Sequence, residues 1–273
     1  MKPTACECKP AAVSSEAKQA GEAVPDKWGW VERTVWTERM LEALERGVKG
    51  GVWFSLIDKV YRPRTLTAAW LQVKCKGKAV GSDHQNHEQF EEHLEINLTK
   101  LATELRTGTY RPRPIRRAFI PKPGSKEKRP LGIPAVRDKV VQTALKMVIE
   151  PIFEHEFMDT SYGFRPGKSQ HHALDALYVA ITQRKVSWVL DADIRGFFDN
   201  LDHEKLIELL ELRIDDKPFL KLIRKWLKAG ILEPDGAVEH HNPLHGKVGG
   251  IIVSGSELGQ DNVVKEIMLI LNS

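Results

Sequence analysis

Apolar and polar positions follow two periods along the chain. Trp36, Met40, Leu41 and Leu44 recur at helical spacing, with Gly47 placed to stop the helix. Leu56, Ile57, Val60 and Tyr61 predict a second helix ending before Pro63, and a third runs from about Thr65 to Lys74. Phe90, Leu94, Leu98, Leu101 and Leu105 predict one long amphipathic helix stopped by Gly108. Val136, Val140, Val141, Ala144, Leu145, Val148 and Ile149 form a strongly apolar helix face; Pro151 bends or restarts it, and Ile152, Phe153 and Phe157 continue the packing. Ser169 caps a helix through Leu177 and Ile181. Two more helices carry Leu206, Ile207, Leu209, Leu210 and then Phe219, Leu222, Ile223, Trp226, Leu227, with a turn at Asp215–Pro218 between them. A period of two takes over across Arg117–Ile120, which turns at residues 121–125 and returns through Arg129–Pro134. It recurs across Val186–Asp193, and Pro234-Asp235-Gly236 reads as a hairpin turn. The pattern ends with a strand-like piece at Val248–Val253 and a terminal helix from about Glu257. Residues 1–26 carry no periodic signal and read as a disordered leader, and five tryptophans between Trp28 and Trp70 read as the core of the helical lobe that follows. The mixture is of the α+β class.

Composition narrows the picture little. The 273 residues are 41% hydrophobic and 29% charged, which suits a globular chain of two or more lobes. No apolar run approaches the ~20 residues of a membrane span, and no apolar signal core precedes Trp28. The cytoplasm is the expected location, and reduced thiols are the simplest account of Cys6, Cys8 and Cys75. The formal net charge of +4 conceals a strong local bias: Arg111, Arg113, Arg116, Arg117, Lys122, Lys126, Lys128 and Arg129 fall within 19 residues that hold one acid, Glu127.

That bias gives the hairpin a chemistry. Arginine and lysine neutralise phosphates and release counterions, so a dense basic hairpin suits a polyphosphate or a nucleic-acid backbone; a solvated charged hairpin is the alternative. Ser161–Ser169 interleaves Tyr162, Phe164, Arg165 and Lys168, which suits bases, sugars and phosphates together. In the stretch from Val186 to Asn200, Val189, Asp191 and Asp193 share one strand face, with the two carboxylates about 7 Å apart. Gly196 then permits a sharp turn into Phe197-Phe198. Such carboxylates suit a divalent metal held against a phosphate, and they equally suit a solvated strand end. A metal nuclease on Asp191, Asp193, Asp199 and Asp202 is a weaker alternative. His84, His87 and His93 lack a framework of further ligands and read as surface histidines. His240, His241 and His245 are close in sequence without an obvious fourth ligand.

Seven segments occur in an order that resembles the bacterial group II intron reverse transcriptase/maturase family. They are Gly108–Pro112, Phe119–Gly124, Lys128–Pro134, Val141–Leu145, Glu150–Phe153, Ser161–Gly167 and Asp191–Asp199, within roughly residues 75–239. The resemblance implies right-hand polymerase fingers and a partial palm behind an N-terminal helical extension, with the palm sheet incomplete. It divides the chain into a leader (1–26), a helical RNA-binding extension (27–110), fingers (111–185), partial palm (186–239) and a divergent tail (240–273). By resemblance Asp193 is the catalytic metal ligand, assisted by the carbonyl of Ile194, because the family's metal aspartate stands five residues before the sugar-checking aromatic, here Phe198. Lys122 and Arg129 would hold the incoming triphosphate, and Arg165 would line the template or nucleotide pocket. Arg111, Arg113, Arg116, Arg117, Lys126 and Lys128 would meet nucleic acid. The implied cofactor is Mg²⁺ in a two-metal site, and the implied partners are intron RNA template, a DNA or RNA primer and dNTP, with no membrane.

The departures are specific. The family's Gln-Gly-Gly segment and Tyr-Ala-Asp-Asp hairpin do not occur, Gly249-Gly250 lacks the preceding Gln, and Asp215-Asp216 precedes the place of that motif. Ser82 and His84 replace the apolar and glycine residues usual around Asp83. The expectation is a reverse transcriptase truncated before its second aspartate motif and inactive alone, or an intron-RNA-binding splicing cofactor without catalysis.

Overall fold

The computed structural model describes residues 27–48, 51–76, 79–121, 124, 126, 128–183 and 201–239, and the backbone of 251–253 and 267–269. The helices are α1 (Glu38–Arg46), α2 (Ile57–Val60), α3 (Pro63–Cys75), α4 (His87–Glu92), α5 (Leu94–Arg106), α6 (Val136–Glu154), α7 (Gln170–Gln183), α8 (His203–Glu211) and α9 (Lys217–Leu227). The strands are β1 (Ile115–Pro121), β2 (Lys128–Ile133), β3 (Ile231–Leu232), β4 (Val238–Glu239), β5 (Ile251–Val253) and β6 (Ile267–Leu269).

The fold is built around α6. Apolar residues lie on all its sides, and nearly every residue from Val136 to Phe153 is buried, which marks a helix enclosed by neighbours rather than lying on a surface. One continuous core joins it to the tryptophan-rich helices before it and to α8 and α9 after it. Pro151 sits in the last turn of α6 without breaking it. Proline has no N–H, so the carbonyl of Met147, four residues earlier, loses its helical donor. The indole Nε1 of Trp36, fully buried, donates to that carbonyl at 3.0 Å. Trp36 therefore fills core volume and closes the gap in the helix ladder.

Two helix starts share one cap. Asp216 is the N-cap of α9, where its Oδ1 accepts from Phe219 N at 3.0 Å. Its Oδ2 accepts from Leu56 N at 2.6 Å and Ile57 N at 2.9 Å, at the head of α2. The buried carboxylate thus satisfies backbone donors at its own helix start and at Leu56, 160 residues away in sequence.

β1 and β2 form the expected antiparallel hairpin, in register Arg116↔Ile133 through Pro121↔Lys128. β1 also pairs in parallel with β3, and β3 with β4 across the Gly236 turn, giving the sheet order β2-β1-β3-β4. The chain is mixed α and β, as the periods predicted.

Four expectations are corrected. The long helix of residues 90–105 is two, because His93 leaves helical geometry (φ −120°, ψ 36°) between α4 and α5, and the Asn86–Gln89 capping box starts the first piece. Residues 267–269 are a strand paired with 251–253, where a helix was expected; the β-branched run Ile251-Ile252-Val253 favours the extended form and supplies the edge on which 267–269 pair. His87 is buried, its ring edge-on to Trp70 with centroids 5.9 Å apart, where a surface histidine was expected; it shares the stripe of Phe90 that faces the core. Cys75, at the exposed end of α3, is disulfide-bonded, where reduced thiols were expected. No helix among the described residues is long and apolar enough to cross a membrane.

Candidate nucleic-acid interface

The basic hairpin is fixed at its base and open at its tip. Arg117 pairs with Glu233 at 2.8 Å, both largely shielded, which ties β1 to the chain beyond β3. Arg116 is half-buried, with its Nε lacking a protein partner. Towards the turn the strand emerges: Phe119 is 48% and Ile120 45% exposed, as are Lys126 and Lys128. Arg129 stands opposite Ile120 in the register. The hairpin therefore offers cations and apolar side chains together on an accessible arm, as a phosphate-and-base ligand requires.

The segment leading into β1 is braced from below. Ser82 Oγ donates to Pro114 O at 2.6 Å, Arg113 N to Asp138 Oδ2 at 2.9 Å, and Ile115 N to Gly230 O at 3.1 Å. Tyr110 Oη donates to Asp138 Oδ1 at 2.6 Å, and Trp226 Nε1 donates to Tyr110 Oη at 3.3 Å. Burial pushes the Asp138 carboxyl above its ordinary value, against the opposing pull of Tyr110, the Arg113 N–H and Arg137. Burial likewise pushes the Tyr110 phenol well up, reinforced by Asp138. The exposed guanidinium of Arg113 stands 3.9 Å from the shielded carboxylate of Asp83. Arg111 is exposed beside it in sequence.

The loop after α6 presents different residues from those its composition suggested. Arg165 is 8% exposed and turned inward. Its Nε and Nη2 donate to Glu154 (2.8 Å at the closest), its Nη1 to Ser161 O at 2.8 Å and to Met158 O at 2.5 Å, and its guanidinium lies over the Phe157 ring at 4.9 Å. Arg165 shapes the loop from within, and the surface is left to Phe164, at φ +56° and exposed, and to Lys168, over the Tyr162 ring at 5.2 Å.

Asp202 and Asp216, two of the aspartates considered as metal ligands, are occupied as helix caps. Asp202 caps α8 by accepting from Glu204 N at 2.9 Å and Lys205 N at 3.2 Å, and those bonds hold its carboxyl below the ordinary range. Asp216 caps two helices, which leaves Asp215-Asp216 no likeness to a metal pair. Among the described residues no group of three His, Cys, Asp or Glu could hold a metal. Lys122, Asp191, Asp193, Ile194, Phe198 and Asp199, and His240, His241 and His245, lie outside the described residues, and so does the side chain of Arg129.

One feature of α9 escaped the sequence reading, which used only its apolar positions. Lys217, Lys221 and Lys225 recur every four residues and face a cleft against α2 and the end of α5. The signal was present as a lysine repeat opposite the apolar stripe.

Residues 120–256 match the family described as reverse transcriptase (RNA-dependent DNA polymerase). The chain is 38% identical over 183 residues to protein YkfC of Escherichia coli K12, a stretch covering 65% of this chain and 48% of YkfC. It is 42% identical over 160 residues to the group II intron-encoded protein LtrA of Lactococcus lactis subsp. cremoris, covering 59% of this chain and 26% of LtrA. The chain thus spans less than half the length of these relatives. Among solved structures, a partial Cas6-RT-Cas1–Cas2 complex overlays with a TM-score of 0.42 and 22% identity, over 70% of this chain and 32% of that chain. The match opens at Ile120, inside the basic hairpin, and runs through the Tyr/Phe/Arg loop and past Asp193; on that basis the chain belongs to the reverse transcriptase (RNA-dependent DNA polymerase) family, in its group II intron reverse transcriptase/maturase branch.

Proposed function

We propose that the chain is a portion of a cytoplasmic group II intron RNA-directed DNA polymerase, a nucleotidyltransferase that holds an RNA template and a DNA or RNA primer and carries one of the two carboxylate sets its chemistry needs. The observation that carries this reading is the ordered match from the hairpin past Asp193. In this reading residues 27–110 are an RNA-binding extension, 111–185 the fingers and 186–239 a partial palm. Arg111, Arg113, Arg116, Lys126 and Lys128 meet phosphates, and Arg117, expected to do the same, supports them by anchoring the hairpin base to Glu233. Lys122 and Arg129 hold the incoming dNTP, Arg165 positions the loop that lines its pocket, and Phe198 crowds a ribose 2′-hydroxyl.

Asp193 and the carbonyl of Ile194 are oxygen donors of the kind Mg²⁺ prefers, so they fit one side of a two-ion site. Asp215-Asp216 is the one adjacent Asp pair in the sequence, and Asp216 of that pair is buried and spent on two helix caps, so the pair does not supply the other side. When bound, the ions activate the primer 3′-hydroxyl and stabilise the pyrophosphate leaving group. The 273 residues alone are therefore expected not to extend a primer on an RNA template with Mg²⁺. Activity should appear when a polypeptide carrying the Tyr-Ala-Asp-Asp hairpin is added, and vanish in Asp193→Ala. Robust extension by the 273-residue chain alone would overturn the half-site reading.

The second reading is a splicing cofactor that grips intron RNA without chemistry. The exposed Phe119, Ile120, Lys126 and Lys128 of the hairpin favour it, because gripping RNA there needs no metal-binding carboxylate. Its signature is RNA affinity that falls on neutralising Arg116, Arg117, Lys122 and Arg129 and is unchanged in Asp193→Ala.

A further inference from the structure

A cleft of about 420 Å³ opens between α2, the C-terminal end of α5 and α9. Tyr61 and Leu105 wall it, four cations rim it (Arg106, Lys217, Lys221 and Lys225), and no carboxylate lines it. No residue of the β1–β2 hairpin takes part. The three lysines are spaced at four residues, so they step along one face of α9 by about 6 Å each. Among the described residues Arg106, Arg111, Lys217 and Lys221 form no ion pair. Lys225 is fixed: its ammonium donates to Gly108 O at 2.8 Å and Tyr110 O at 2.6 Å, and so holds the loop that forms the opposite wall. Burial lowers its pKa, and the like charges of Lys221 and Arg111 lower it further.

Like charges four residues apart weaken a helix, and Lys217 in the first turn opposes the helix dipole. The fold therefore sustains a row of repelling cations that no carboxylate lining the cleft neutralises, and an external anion would relieve it. A single phosphate would meet one or two of these groups. A row with a repeat of about 6 Å matches a ligand that is itself a row of charges, and the Tyr61 wall supplies a face for a base or ribose. We propose that this cleft binds the phosphodiester backbone of an RNA strand, as a second contact separate from the hairpin. The proposal rests on the nucleic-acid-binding reading of the chain for its ligand class.

The test uses the full chain, a fluorescently labelled RNA hairpin with a single-stranded tail, and dissociation constants across a KCl series. Lys217→Gln/Lys221→Gln removes two exposed charges and leaves the Asp216 cap intact, so the thermal midpoint should hold. Affinity should fall about tenfold at low salt, and the slope of log K against log salt should shrink by about 2, one for each lysine. RNA should also protect Lys217 and Lys221 of the unaltered protein from an acylating reagent. The comparison variant is Lys126→Gln/Lys128→Gln on the hairpin. Weakened binding in the hairpin variant with none in the cleft variant would overturn the cleft and leave the family reading standing. Unchanged binding in both would overturn both. Inorganic tripolyphosphate that protects the two lysines as well as RNA does would overturn the RNA assignment in favour of a small-anion site.

Discussion

Replacing Trp36 with Phe isolates the link between the N-terminal helices and α6. The substitution keeps an aromatic ring and removes the indole N–H, so the buried carbonyl of Met147 loses the donor that stands in for the absent N–H of Pro151. A buried acceptor left unpaired costs about 1–3 kcal/mol. The smaller ring leaves space in a fully buried site and loosens the edge contact with Trp53 (centroids 5.2 Å apart), for roughly 1 kcal/mol more. Trp36→Phe should therefore destabilise by about 2–4 kcal/mol in urea unfolding followed by far-UV circular dichroism. The mechanism is tested by a double-mutant cycle. Pro151→Ala restores a backbone N–H that reaches Met147 O along the helix. In that background Trp36→Phe should cost only its packing share, so the double variant is more stable than the sum of the single changes by about 1–2 kcal/mol. Additivity within about 0.5 kcal/mol would refute the account of Pro151 and Trp36 as partners at one carbonyl.

Three further outcomes follow from the packing. Asp216→Ala strips acceptors from Leu56 N, Ile57 N and Phe219 N and should cost about 3 kcal/mol in the same unfolding assay, well above an ordinary lost cap; a loss below about 1 kcal/mol would mean that water replaces the carboxylate. Gly81→Ala would put a Cβ 2.5 Å from Ala135 Cα and N and 2.6 Å from Pro134 O, all backbone, so a loss of about 1–3 kcal/mol is expected, and an unchanged midpoint would contradict this close approach. Burial raises the Asp138 carboxyl above 3.8, so the folded state binds its proton more tightly than the unfolded state; that contribution is complete below about 3.8 and is lost as pH rises through the folded value. Stability measured relative to Asp138→Asn should accordingly decline over that window as pH rises and then level off, and a relative stability that climbs with pH would reverse the assigned direction.

How much of this was legible in the sequence depends on the range of the interaction. The β1–β2 hairpin and the Gly236 turn were readable because turn residues and alternation are local. The α4–α5 break was not, since Phe90, Leu94 and Leu98 keep the apolar period across His93 while the backbone there leaves the helix. Asp216 looked like a turn residue; that its second oxygen caps α2 depends on a contact 160 residues away, which no local pattern records. Arg165 illustrates the same limit at the candidate site. An arginine between Tyr162, Phe164 and Lys168 has the composition of a ligand loop, yet Glu154 on the preceding helix claims its guanidinium. The lysine repeat of α9 was local and readable, but its meaning required the loop that faces it.

Residues 107–115 give the two cationic elements a common support. Lys225 on α9 holds Gly108 O and Tyr110 O; Tyr110 and the Arg113 N–H converge on Asp138 at the start of α6; Ile115 N then joins Gly230 O, where β1 meets β3. The wall of the α9 cleft and the root of the hairpin are consecutive parts of this strip. A change at Asp138 therefore reaches both at once, although it contacts no ligand in either. If the cleft and the hairpin grip one RNA, removing the Asp138 carboxylate weakens both grips together, whereas neutralising lysines on α9 or on the hairpin weakens one. Comparing the loss of RNA affinity in Asp138→Ala with the two lysine variants separates a shared support from two independent surfaces: a loss confined to one surface would show that the strip does not couple them.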